Sequence, residues 1–172
     1  MHDPFFAPYP PLAEFVRPYA EHLNLNSLHL HIHEVIFAFV TYHIIFLLSP
    51  AISSRLFPRS YPQLKARTRI NWDVHVVSLV QSTFISVLAL YQIIVDKERS
   101  APMSEGGEHR VYGYTPLGGA TAAFALGYFV WDLWMSTRYF DVFGIGFLMH
   151  ALSAVVVYAL GFVRPHFPTP PS

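Results

Sequence analysis

The apolar residues of this chain fall in runs of about twenty, separated by short charged or proline-rich stretches. Twenty residues at about 1.5 Å each is what an α-helix needs to cross roughly 30 Å of hydrocarbon. Of 172 residues, 53% are hydrophobic and only 13% charged, too apolar a mix for an ordinary soluble domain of this size. The expectation is an all-α, multi-span transmembrane helical bundle of about four spans, near residues 28–48, 74–95, 119–139 and 142–163. Formal net charge is zero, so no global basic excess points to nucleic acid as a partner. Cysteine is absent, which removes disulfides, thiolate metal sites and thiol catalysis together.

Residues 1–27 carry Pro4, Pro8, Pro10, Pro11 and Pro18, which rule out one long helix and suggest an ordered cap or interfacial segment. They hold no basic cluster followed by an apolar core, so they do not read as a cleaved secretory signal. The first span, 28–48, is interrupted by Glu34 and His43, and Pro50 is expected to end or kink it. The linker from Ser53 to Trp72 carries Arg55, Arg59, Lys65, Arg67 and Arg69 with no acidic residue. By the positive-inside rule this linker is cytoplasmic, so the N-terminus and the mixed-charge loop Asp96–Leu117 lie on the lumenal or external side. Gly118, Gly119, Ala120 and Gly127 in the third span let neighbouring helices come close. Arg138 and Asp141 mark a tight turn into the fourth span, and a polar, proline-rich tail fills 166–172. Trp72, Tyr139 and Phe140 read as interface anchors, whereas Trp131 and Trp134 are expected to face lipid or neighbouring helices.

A carboxylate inside an apolar helix is expensive and by default marks a site, a pathway or a buried partner. Asp132 is that carboxylate. It lies as far before the turn as His150 lies after it, both roughly 10–12 Å in at 1.5 Å per residue. An antiparallel hairpin would therefore bring the two to one depth, to meet directly or through one water. His150 and Asp132 are the candidate catalytic pair if the protein is an enzyme, and a neutralised structural pair if it is not. Tyr128 and Ser136 stand one turn either side of Asp132 and Ser153 one turn from His150, so they are expected to line the same cleft. His75, Ser78, Ser82 and Ser86 form a stripe on the second span, with Gln81 beside it, expected to turn inward as interhelical glue or as a cleft wall. His75 sits near enough to the interface to be simply solvated. His29, His31 and His33 suggest a metal, but Glu34 is expected to point elsewhere and no second ligand cluster appears, so no metal site is assigned; an interfacial, pH-sensitive edge fits better.

These residues resemble the TLC domain family, which includes ceramide synthases, translocon-associated proteins, a cargo receptor and small lipid-homeostasis proteins. The resemblance runs from about Arg55 to Pro165. Its most specific part is Gly127-Tyr128-Phe129-Val130-Trp131-Asp132-Leu133, followed by Leu148-Met149-His150-Ala151-Leu152-Ser153; Asn71-Trp72-Asp73 and Val77-Ser78 are similar to the start of another family helix. It implies a helical bundle, usually in the endoplasmic reticulum, concerned with lipid synthesis (sphingolipid included), sensing or trafficking. The chain departs from the family pattern in having Ala151 where many relatives have a second, adjacent histidine, and His75 and Gln81 where many small members have an arginine and a later histidine. The family domain also normally continues through further spans, where this chain stops at Ser172.

Three functions follow as expectations. The first is a protein of lipid homeostasis whose polar intramembrane cleft binds or senses a lipid. The second is an acyl-CoA-dependent N-acyltransferase of ceramide-synthase type, with acyl-CoA as substrate and no cofactor in either case. The third is a structural or cargo-receptor-like interaction protein. Membrane lipids are the expected partners, with other membrane proteins possible under the third.

Overall fold

The computed structural model describes residues 7–95 and 115–163. Among them are five α-helices and no strand: α1 Pro10–His22, α2 Leu28–Leu56, α3 Ala66–Val95, α4 Pro116–Arg138 and α5 Phe140–Leu160. The tail 166–172 and most of the loop Asp96–Leu117 lie outside the described residues. Three helices, α2, α3 and α5, are long and apolar enough to cross a membrane, which makes this an integral membrane protein. At 23 residues, α4 reaches about 35 Å and crosses the same slab. It falls short on hydropathy because it sits centrally: it is rich in glycine and alanine and holds more buried residues than any other helix, where close packing rather than contact with lipid decides composition.

The first span differs most from expectation. Helix α2 runs unbroken for 29 residues, through Pro50 to Leu56. Beyond the proline, the Ser54 hydroxyl donates to the Pro50 carbonyl at 2.7 Å, satisfying itself on its own helix. Helix α3 likewise starts at Ala66, eight residues before the expected span. The basic linker is thus mostly helix end, with only a short stretch and a 3-10 turn at Tyr61–Gln63 between α2 and α3.

Helix α4 starts cleanly because Thr115 caps it, its side chain accepting from the Gly118 N–H at 3.1 Å, and Pro116 occupies the first turn, where its missing N–H costs nothing. It packs mainly on α2 and α5. Toward α2 it presents glycines: a Cβ at Gly119 would run into the His31 ring, and one at Gly127 would lie 2.5 Å from the Val35 carbonyl oxygen and 2.6 Å from the Ala38 Cβ. Toward α5 the packing is antiparallel, with Phe129 against Tyr158 at 4.8 Å between ring centres and the turn at Tyr139. The core of Tyr42, Val77, Phe124, Tyr128, Trp131 and Met135 joins α2, α3 and α4. Trp131 is fully buried there, whereas Trp134 faces outward.

A buried carboxylate holds the α2–α3 end together. Asp73, 4% exposed, accepts from the Ser49 hydroxyl at 2.7 Å and from the Tyr61 hydroxyl at 2.8 and 3.0 Å. Beside it the Trp72 indole N–H donates to the Ser53 hydroxyl at 3.0 Å, and Arg69 donates to the Pro62 carbonyl. Burial, and the hydrogen bond to Asp73, push the Tyr61 phenol up to about 12. The Asn71-Trp72-Asp73 segment therefore has a structural reason: it fastens the loop between the first two long helices.

Helix α5 carries a break. Gly144 has φ 74° and ψ −177°, a region essentially closed to residues with a Cβ. Arg67 reaches across from α3 to donate to the Val142 carbonyl at 3.1 Å, two residues before the break. Replacing Gly144 by alanine is expected to cost about 1–3 kcal/mol from backbone strain alone, since an added Cβ there meets nothing within 4 Å. A thermal melt in detergent measures this; an unchanged midpoint would show that the helix can straighten at no cost.

Candidate functional site

On either side of the break at Gly144, Phe143, Phe147 and His150 face α3 and α4 across a cavity of about 170 Å³. Val74, His75 and Ser78 of α3 and Tyr128, Asp132 and Ser136 of α4 form its other walls. The cavity lies toward the end of the bundle that carries the basic linker and the Arg138–Asp141 turn. Asp132 is 8% exposed, and the two groups that face it electrostatically are His150 and His75.

Asp132 and His150 therefore share one cavity, but no hydrogen bond or ion pair joins them among the described residues. The kink sets them across a space rather than in contact, and a cavity of this size admits several waters or a small polar group. Tyr128, Ser136 and Ser78 line it too, and the Tyr128 and Ser78 hydroxyls are hydrogen-bonded at 2.9 Å. His75 is exposed, as its place near the interface suggests, and also borders the cavity. Its Nδ1 lies 2.7 Å from the Asn71 carbonyl, and since a carbonyl only accepts, Nδ1 is the donor.

The remaining expected lining residues lie elsewhere. Ser82 and Ser153 are exposed and donate to the carbonyls of Leu79 at 3.1 Å and Met149 at 2.7 Å. Bonding to its own helix lets a serine face lipid, which is why the α3 stripe does not turn wholly inward. The buried face of α3 is Asp73, Val77, Gln81, Leu88 and Gln92, and Ser78 meets Tyr128 only at its edge. Gln81 is buried but serves another contact, accepting from the Tyr42 hydroxyl. Phe143 and Phe147 went unrecognised in the sequence because nothing marks an apolar residue as wall rather than core; the glycine at 144 was the available signal.

Next to the polar cavity lies an apolar one of about 180 Å³, walled by Phe37, Ala38, Ile45, Val80, Phe84 and Phe124 with Tyr42 and Thr41. Tyr42 meets Tyr128 of the polar cavity edge-on at 5.5 Å, so a pair of tyrosines stands between the two spaces. At the far end of α2, His31 and Glu34 form a buried pair with Nδ1 and Oε2 2.6 Å apart. Glu34 thus pairs with His31 one turn back instead of pointing elsewhere. Among the described residues no three His, Asp or Glu side chains are grouped to hold a metal ion.

The model of the TLC domain family matches residues 71–169, which include every wall of the polar cavity. The chain is 37% identical over 155 residues to a TLC domain-containing protein of Schizosaccharomyces pombe, covering 90% of this chain and 50% of that protein. It is 31% identical over 143 residues to Topoisomerase I damage affected protein 4 of Saccharomyces cerevisiae, covering 81% and 47%, and 31% identical over 94 residues to a TLC domain-containing protein of the same yeast, covering 55% and 28%. The chain spans about half the length, or less, of these curated relatives. No solved structure matches it.

Proposed function

Since the chain belongs to the TLC domain family, we propose that it is a protein of membrane lipid homeostasis and that the cavity around Asp132 and His150 receives a lipid headgroup. The observation that carries this reading is the cavity itself: a buried carboxylate, two exposed histidines and three hydroxyls facing one space between α3, α4 and α5. Polar groups held in hydrocarbon are costly and are retained where they bind or pair. The adjoining apolar cavity supports it by offering room for part of an alkyl chain beside the headgroup. In this reading the membrane is that of the endoplasmic reticulum, with the basic linker cytosolic and the N-terminus lumenal, as the positive-inside rule supports.

The test is photo-crosslinking of purified protein in bilayer nanodiscs with a panel of lipids that carry a photoreactive group near the headgroup. Adducts of at least one lipid are expected on peptides holding Asp132 or His150, with labelling reduced about tenfold in Asp132→Asn and His150→Ala, the usual worth of a hydrogen bond to a charged group. Labelling spread evenly over the lipid-facing helices, and indifferent to both substitutions, would rule the site out.

One observation favours a second reading. The cavity holds two histidines after all, His150 and His75, though from different helices. In an N-acyl transfer one of them would take the proton of an amine as its nitrogen bonds to the acyl carbon and the thiolate of coenzyme A departs. Turnover of acyl-CoA that is abolished by His150→Ala or His75→Ala would establish this chemistry; no turnover by the unsubstituted protein, or turnover left unchanged by both variants and by Asp132→Asn, would remove it.

A further inference from the structure

Of the seven lysines and arginines among the described residues, all but Arg17 of α1 are gathered at one end of the molecule. Arg55 comes from the last turn of α2 and Arg59 and Lys65 from the connection to α3. Arg67 and Arg69 come from the first turn of α3, and Arg138 from the last turn of α4. Arg67 bonds to the Val142 carbonyl, which brings the starts of α3 and α5 together, so these residues form one face rather than three separate ends. The face is fixed by the hydrogen bonds of Asp73, Tyr61, Ser49, Trp72 and Ser53.

Among the described residues no ion pair balances its charge. Asp73, the acid near the start of α3, is buried and accepts from two neutral hydroxyls. Arg67 and Arg69 donate to backbone carbonyls, which are neutral as well. No cation of this face makes an ion pair with a carboxylate among the described residues, and the one exposed acid there is Asp141. Because α2, α3, α4 and α5 all end or begin at this level, the face stands at the headgroup layer of a membrane. Trp72, half-buried between Phe57 and Tyr61, lies within it as an interfacial aromatic. A topology signal requires only a positive bias in a loop; it does not require the cations to be mounted on a rigid frame with their counter-charges turned away.

We propose that this basic end is a binding surface for the anionic headgroups of lipids in the leaflet that it meets. Basic side chains held near an anionic leaflet each add to the attraction, and the attraction falls off within a Debye length. Lipid is favoured over a soluble acidic protein as the partner because the face is continuous with the spanning helices, so the headgroups are already in contact with it. The inference is independent of the headgroup cavity, since it uses none of the cavity's polar residues.

The test uses Trp72 as reporter. Trp134→Phe removes the exposed tryptophan within the spans, and Trp131 is fully buried. This protein is reconstituted in phosphatidylcholine vesicles containing a minor share of brominated phosphatidylserine or, in parallel, of brominated phosphatidylcholine. Phosphatidylserine is expected to quench Trp72 well beyond its mole fraction at low salt, and the excess to vanish at high salt. The triple change Arg55→Gln, Arg59→Gln, Lys65→Gln is expected to lower the association preference at least about tenfold. These three side chains are exposed and make no hydrogen bond among the described residues, so the variant keeps its fold, which helicity and melting midpoint verify. Equal quenching by the two lipids in the Trp134→Phe protein overturns the proposal without recourse to any charge variant. So does a phosphatidylserine excess that survives both high salt and the triple change.

Discussion

Gly127→Leu is expected to prevent α2 and α4 from docking, so that little folded protein is recovered from membranes, while Gly127→Ala lowers stability by about 1–3 kcal/mol, the usual cost of overpacking. The contact leaves no slack. A Cβ would sit 2.5 Å from the Val35 carbonyl oxygen, and backbone cannot rotate aside as a side chain can. The same shift would pull Tyr128 and Asp132, both on α4, away from Ser78 and His75 on α3, so the loss reaches the cavity as well. Yield and thermal midpoint in detergent read the effect; a leucine variant with the original midpoint would show that the helices do not meet at this glycine.

The second large effect is at the other contact that defines the bundle. Asp73→Ala is expected to destabilise by about 2–4 kcal/mol, because the Ser49 and Tyr61 hydroxyls are left buried with no acceptor and each such orphan costs about 1–3 kcal/mol. Tyr61→Phe removes a donor rather than an acceptor and is expected to cost less, about 1 kcal/mol. The pair also carries a pH signature. The phenol is raised from 10.0 to about 12, so folding favours its protonated form. The stabilisation is complete below the unfolded value and is lost as pH rises from about 10 through about 12. Alkaline melts should therefore show a fall in stability over that window that Tyr61→Phe lacks. A fall of equal size in both proteins would place the titration elsewhere.

Much of the candidate site was legible because the cost of polarity in a membrane is legible. Asp132 and His150 stand out as ionisable groups in apolar runs, and counting residues from one turn places them at one depth. What the count could not supply was rotation about each helix and the break at Gly144. Those set the two groups across a cavity instead of in contact. They also put the exposed His75 at the edge of the cavity and Ser153 off it, and sent Gln81 to Tyr42. Periodicity names a stripe, but a serine can satisfy its hydroxyl on its own helix and leave the stripe facing lipid, as Ser82 does. Spans were less legible at their ends than in their middles. Helices α2 and α3 both run past the hydrocarbon length, through Pro50 in one case and back to Ala66 in the other, because a helix ends where its hydrogen bonds do and not where its apolar residues stop.

By itself the sequence determined the membrane, the helices and the sign of charge at one end. Each follows from composition along a line: apolar length sets crossing, proline and glycine punctuate it, and basic residues cluster between runs. The tertiary structure decided what depends on the approach of distant segments. Gly127 is needed because Val35 and Ala38 lie against it, and Asp73 is a fastener because Tyr61 and Ser49 come to it. The basic end is a surface because Arg67 reaches α5. No spacing along the chain encodes those meetings, since each depends on how helices far apart in sequence rotate and cross when they pack.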